Sequence, residues 1–95
     1  MRHGLARTQK KAHAMIKMLY YAALVDRLRT ASEQLNLPAT PCSVRELVTL
    51  LKLRGGQWEN VFGKSSVRIT VNKQFVELDA PVKDGNEVAF ISAWI

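Results

Sequence analysis

The stretch from Ser43 to Gly56 carries a helix signal strong enough to constrain everything packed around it. Ser43-Val44-Arg45-Glu46 is a capping box: the Ser43 hydroxyl can accept from the backbone N–H of Glu46, whose carboxylate can reach back to the Ser43 N–H. After it, Val44, Leu47, Val48 and Leu51 fall at i, i+3, i+4 and i+7, with Leu50 and Leu53 widening the stripe. Lys52 and Arg54 suit the negative end of the helix dipole, and Gly55 or Gly56 can take the left-handed stop. Burying about five such aliphatic side chains, at roughly 1.5–3 kcal/mol each, is the largest single packing term this chain can offer. A face that broad needs a sheet to cover it.

The strands lie on either side. Ile16 to Ala22 is apolar on both faces after Lys17, which suits a central strand. Ala23 to Ala31 changes period, with Leu24, Leu28 and Ala31 on one face, and predicts a short helix. Glu33 to Leu37 alternates and stops at Pro38, as a short edge strand does. Beyond the long helix, Trp58, Val61 and Phe62 sit at one-turn spacing, with Trp58 as a lid on the core. Val67, Ile69 and Val71 alternate with Arg68, Thr70 and Asn72, and a tight turn around Asn72-Lys73-Gln74 pairs this strand with Phe75-Val76. Pro81 and an Asp84-Gly85 turn then break the chain before a last strand, Glu87 to Ile91. The first and last strands are the most apolar and belong side by side at the centre. One main helix crossing a mixed four- to five-stranded sheet predicts an α+β fold, the β-grasp or ubiquitin-like roll, over residues 15–95.

A formal charge of +6 on 95 residues would suggest a nucleic acid or an anionic surface as partner. Arg2, Arg7, Lys10 and Lys11, however, all fall in residues 1–14, which hold no acid. Without them ten basic residues face eight acidic ones, a charge of only +2. Residues 1–14 therefore read as a disordered basic extension, with Met15 available as an alternative start. The strands lack basic–aromatic interleaving beyond Arg68 and Tyr20-Tyr21, so no nucleic-acid partner is expected. With no secretory apolar stretch and no run near the ~20 apolar residues that span a bilayer, the expectation is a cytoplasmic protein without a membrane partner.

Chemistry is sparse. Cys42 is the sole cysteine, which excludes a disulfide framework and any all-cysteine metal or cluster site. His3 and His13 are the only histidines, so neither a metal nor a cofactor is expected. Cys42 sits just before the helix N-cap, where the dipole favours a thiolate, but with no histidine near it in sequence it reads as structural. Glu77, Asp79, Asp84 and Glu87 flank turns, as solvated turn formers and not as an acid–base pair. Gly55-Gly56 follows a helix, whereas a phosphate loop precedes one. These residues describe a binding or carrier module and not an enzyme acting alone.

Three segments carry a resemblance. Met15-Ile16-Lys17-Met18-Leu19-Tyr20-Tyr21-Ala22 resembles the first strand of the molybdopterin synthase small subunit. Val71-Asn72-Lys73-Gln74-Phe75-Val76 and Asp79-Ala80-Pro81-Val82-Lys83-Asp84-Gly85-Asn86-Glu87-Val88-Ala89-Phe90 are similar to the same family, so the likeness runs from Met15 to about Ile91. The thiamine-pathway sulfur carrier is the nearest cousin; the Leu-rich helix and aromatic first strand favour the molybdenum-cofactor family. The resemblance implies a ubiquitin-like sulfur carrier in molybdenum cofactor biosynthesis. In that family an ATP-dependent E1-like activating enzyme adenylates a C-terminal Gly-Gly carboxylate, which becomes a thiocarboxylate. The tail enters the large synthase subunit and gives its sulfur to a cyclic pyranopterin precursor. Glycines suit this because a backbone without side chains can thread a narrow channel.

At the same place this sequence reads Ser92-Ala93-Trp94-Ile95. As written, this tail is expected not to be activated; neither Trp94 nor Ile95 is assigned a catalytic role, and Trp94 is expected to be an exposed anchor for a partner. The resemblance further implies that Tyr21, Phe75 and Ile91 contact the large subunit, three apolar residues whose convergence would make a patch. The same patch would let the free chain self-associate. A β-grasp interaction module without carrier chemistry and a thiamine-pathway carrier are the alternative readings.

Overall fold

The computed structural model describes residues 14–37, 42–63 and 67–92. The basic stretch 1–13 and the terminal residues 93–95, Trp94 and Ile95 among them, lie outside the described residues. Strand β1 (Ala14–Ala22) runs into helix α1 (Ala23–Leu28) and edge strand β2 (Ser32–Leu37). Short strand β3 (Cys42–Ser43) leads into the main helix α2 (Val44–Lys52), followed by α3 (Gly56–Phe62). Strands β4 (Arg68–Val71), β5 (Gln74–Phe75), β6 (Pro81–Val82) and β7 (Glu87–Ser92) complete the fold. Five strands form one sheet in the order β2-β1-β7-β4-β5, with β1 and β7 parallel and the other pairs antiparallel. This is the expected β-grasp roll, with the first and last strands adjacent.

Side-chain alternation decides which face is which. Along β1, Ile16, Met18 and Tyr20 are buried, whereas Met15, Lys17 and Tyr21 are exposed. Ile16, Met18, Val88, Phe90 and Ile69 meet Leu24 and Leu28 of α1, Val44, Leu47 and Leu51 of α2, and Val61 and Phe62 of α3 in one core. β1 is the interior strand expected of its apolar run. The helices gather on one face, as α+β folds allow, and leave Leu19 and Tyr21 on the other. The strand also begins at Ala14, fully buried opposite Leu37, two residues ahead of the expected start at Ile16.

The capping box forms as read. The Ser43 Oγ accepts from the Glu46 N–H at 3.1 Å, and a Glu46 carboxylate oxygen accepts from the Ser43 N–H at 2.9 Å. Two more free N–H groups of this helix end, on Val44 and Arg45, donate to the carbonyls of Ala80 and Leu78. Sequence gave no sign of the small β3–β6 ladder beside them, in which Pro81 is not a break but a strand's first residue, where its missing N–H is tolerated. At the other end the stripe is narrower than expected. Leu50, inside α2 but off the face that Val44, Leu47 and Leu51 bury, is 40% exposed, and Leu53 is 77% exposed because α2 stops at Lys52 and turns away through Leu53 and Arg54. Gly55 and Gly56, at φ 74° and 55°, make their left-handed turn one step later, at the opening of α3.

The β4–β5 turn is Asn72-Lys73, with φ 51° and 74°, the doubly left-handed pair that matches the twist of a hairpin. Asn72 is anchored there: its side-chain oxygen accepts from the Glu87 N–H at 2.9 Å. Lys73 has no such reason to sit at positive φ. Lys73→Gly is expected to stabilise the fold by up to about 1 kcal/mol, raising the thermal midpoint by a few degrees in a circular dichroism melt.

Candidate functional site

The helix-free face of the sheet is where the residues singled out from sequence are found. Strand register puts Tyr21 of β1 beside Ile91 of β7, and Ile91 beside Arg68 of β4. The next row runs Leu19, Ala89, Thr70, Phe75 across β1, β7, β4 and β5. Directly paired residues share a face, so Tyr21, Ile91 and Phe75 all belong to this one. Tyr21 and Phe75 are 46% and 62% exposed; Ile91, between larger neighbours, is half-buried.

Geometry adds residues that sequence reading had left unassigned. Ala89 and Thr70 are buried although none of the described helices covers this face, because the taller Leu19, Ile91 and Phe75 stand around them. The result is a shallow floor of small side chains with an aromatic at either end. Arg68 lies over the Phe75 ring, guanidinium carbon to centroid 4.7 Å, and gives the rim a cation. The paired positions of β4 and β7 held this signal in sequence, but only a known register could expose it.

On the helix side, buried aromatic rings hold β1 and β7 in place. Tyr20 stacks on Phe90 at 5.7 Å and meets Trp58 edge-on at 5.5 Å, while Phe62 meets Phe90 edge-on at 5.1 Å. Trp58 is thus the lid expected of it, half-buried against Phe62 and under Arg54. The Tyr20 hydroxyl donates to Glu33 at 2.7 Å, and Arg54 clamps the same carboxylate through two hydrogen bonds of 2.9 and 3.1 Å. Burial, reinforced by Glu33, pushes the Tyr20 phenol far above its ordinary range. Burial also acts to raise the Glu33 carboxyl, but the hydrogen bonds from Arg54 and Tyr20 outweigh it and hold it below its usual value.

The other chemical suspects are structural. The Cys42 thiol is pushed up, by burial first and then by the Glu46 carboxylate, so the helix end does not favour a thiolate. It donates to the Ser43 carbonyl at 3.3 Å. The Asp84 carboxylate accepts from the Met15 N–H at 2.8 Å and fixes the Gly85 turn, while Asp79 meets Arg45 at 3.0 Å in solvent. Among the described residues no three His, Cys, Asp or Glu side chains cluster to hold a metal, and no helix is long and apolar enough to cross a membrane.

Comparison with known proteins follows the same line. The model of the ThiS family matches residues 18–94. No curated protein matches the chain. Among solved structures, it is similar to the molybdopterin converting factor, subunit 1, of Pyrococcus furiosus: 25% identical, covering 81% of this chain and 94% of that one, with a TM-score of 0.68. Small archaeal modifier protein 1 of Haloferax volcanii is 14% identical over 83% and 97% of the two chains, with a TM-score of 0.70. A complex of subunits 1 and 2 of the molybdopterin-converting factor of Helicobacter pylori aligns at 18% identity over 82% and 92%, with a TM-score of 0.57. The last two are likenesses of fold alone. With the family's model running from β1 through β7, on the mixed five-stranded sheet that its structural neighbours share, the chain belongs to the ThiS family of ubiquitin-like sulfur carriers.

Proposed function

We propose that this chain is the sulfur-carrying small subunit of a molybdopterin-synthase-type complex in molybdenum cofactor biosynthesis, docking its large subunit through the helix-free face. The observation that carries this is the shared face of Tyr21, Ile91 and Phe75, flanking a floor of small side chains. Exposed aromatics around a shallow apolar centre are what protein interfaces select. The 25% identity to a molybdopterin converting factor subunit 1 supports the molybdenum pathway, and the subunit 1–subunit 2 complex of Helicobacter pylori supports a large-subunit partner. An E1-like activating enzyme is the second proposed partner for a tail ending in the family's Gly-Gly; with the tail reading Ser92-Ala93-Trp94-Ile95 it is expected not to act. Self-association of the free chain uses the same face and competes with docking.

Phe75→Asp tests the reading. The ring is mostly solvent-exposed, so the fold should survive, with an unchanged thermal midpoint. Calorimetric titration with the large subunit should show affinity reduced by about 30-fold or more, as expected for losing an interface anchor. Unchanged affinity overturns the docking face. Tighter binding to the thiamine pathway's partner than to the large subunit reassigns the pathway.

A further inference from the structure

The helix-free face is charged at one end and apolar at the other. Its charged end holds Lys17 and Glu87, which the β1–β7 register sets directly opposite each other, with Gln34 of β2 on the far side of Lys17. Opposite charges in paired positions favour each other, so this end answers its own charge. The apolar end holds Tyr21, Ile91 and Phe75, and among the described residues the register places a single charge there: Arg68, paired with Ile91 across β4 and β7. Its guanidinium carbon lies 4.7 Å from the centre of the Phe75 ring. Among the described residues Arg68 makes no ion pair, and Glu77, two residues past Phe75, forms none with it.

Arg68 is exposed and hydrated in the free protein. The Phe75 ring holds its guanidinium against the face, where a free side chain would sweep through solvent. A partner that covers Tyr21, Ile91 and Phe75 must therefore also take water from Arg68. Stripping a cation of water without giving it an anion is costly, and one ring face returns only part of what water supplied. A carboxylate set opposite the guanidinium removes that cost, because the planar fork can meet it with two parallel N–H donors.

We propose that the partner docking on this face presents an Asp or Glu carboxylate to Arg68, which makes Arg68 the residue that selects among apolar surfaces by charge. The proposal rests on the helix-free face being the large subunit's docking site, and adds what the facing surface must carry. Apolar contact with Tyr21, Ile91 and Phe75 would suit many partners; a cation fixed in their midst favours an acidic surface and rejects a basic one.

The full chain would be titrated calorimetrically with the large subunit at about 50 mM and about 500 mM NaCl, which screen exposed charges to different extents. Arg68→Gln should weaken binding about tenfold at the lower salt and remove most of the salt dependence that the wild-type protein shows. Arg68→Glu should weaken it about 100-fold, and Arg68→Lys, which keeps the charge but loses the fork, should lose less than Arg68→Gln. Glu77→Gln should not weaken binding. Both residues are exposed, so thermal midpoints should stay near the wild-type value. Wild-type affinity in Arg68→Gln and Arg68→Glu overturns the proposal. So does a loss in Arg68→Gln that is equal at both salts, which makes Arg68 only a prop for the Phe75 ring, or a loss in Glu77→Gln, which makes Glu77 the counter-charge. Phe75→Asp separates the two readings. If it abolishes binding while the Arg68 variants bind as wild type, the docking face stands without the carboxylate; if it binds as wild type, both fall.

Discussion

Phe90→Ala is expected to cost about 3–5 kcal/mol, the range for deleting a buried aromatic ring. Phe90 is fully buried on β7, the middle strand of the sheet, and its ring lies between those of Tyr20 at 5.7 Å and Phe62 at 5.1 Å. Neighbours on β1 and β4, Tyr20 and Ile69, are held in register by their own strands and cannot collapse into the space. A domain of this size has only about 5–15 kcal/mol to lose, so the variant should stand at the edge of unfolding at room temperature. Urea denaturation with linear extrapolation measures the loss. A decrease below about 1 kcal/mol would mean that Phe90 is not the keystone of this core. Phe75→Ala is the internal contrast: its ring is largely in solvent, and its removal should be felt at the interface and not in stability.

Glu33→Ala is expected to cost about 2–3 kcal/mol, more than a surface ion pair explains. The carboxylate is only about a quarter exposed and satisfies two partners: the hydroxyl of buried Tyr20 at 2.7 Å and the guanidinium of Arg54. Removing it leaves the phenol of Tyr20 without its acceptor, in a place that water reaches poorly. Chemical denaturation of Glu33→Ala, Tyr20→Phe and the double variant should reveal a coupling above about 0.5 kcal/mol; additivity would show that the hydrogen bond contributes nothing. The pH dependence has a definite sign. The Glu33 carboxyl is held below its ordinary value of 4.5, so its contribution is complete above that pH and is lost as pH falls through the lower folded value. The gap in melting temperature between the wild-type protein and Glu33→Ala should therefore be full at neutral pH and close in acid. The Arg45–Asp79 pair, whose side chains are 59% and 85% exposed, should show little of this behaviour.

Much of the roll could be read before any coordinates, because its strongest signals are local. A capping box spans four residues, a hairpin turn two, and strand alternation a handful, so Ser43–Glu46, Asn72-Lys73 and the Val67–Val71 pattern carry their meaning wherever they fold. The helix stripe was readable for the same reason, up to Leu51. Leu50 and Leu53 misled: Leu50 lies at the flank of the buried face, and Leu53 lies past the end of α2, which periodicity does not locate. The β3–β6 ladder left no trace because two-residue strands are too short to show a period.

The candidate site divides in the same way. Tyr21, Phe75 and Ile91 were reached by resemblance, and no local pattern in the sequence places them together. Sequence by itself determined the elements, their order and the family likeness, all of which rest on contacts a few residues apart or on the linear string. Tertiary structure alone decided what crosses the chain. It placed Arg68 and a floor of Thr70 and Ala89 beside the three apolar residues, and it joined Tyr20 to Glu33 and Glu33 to Arg54 across 13 and 21 residues. The reason is geometric: the side chains that share a face of the sheet are chosen by strand order and register, and both are set only when all five strands close around the same helices.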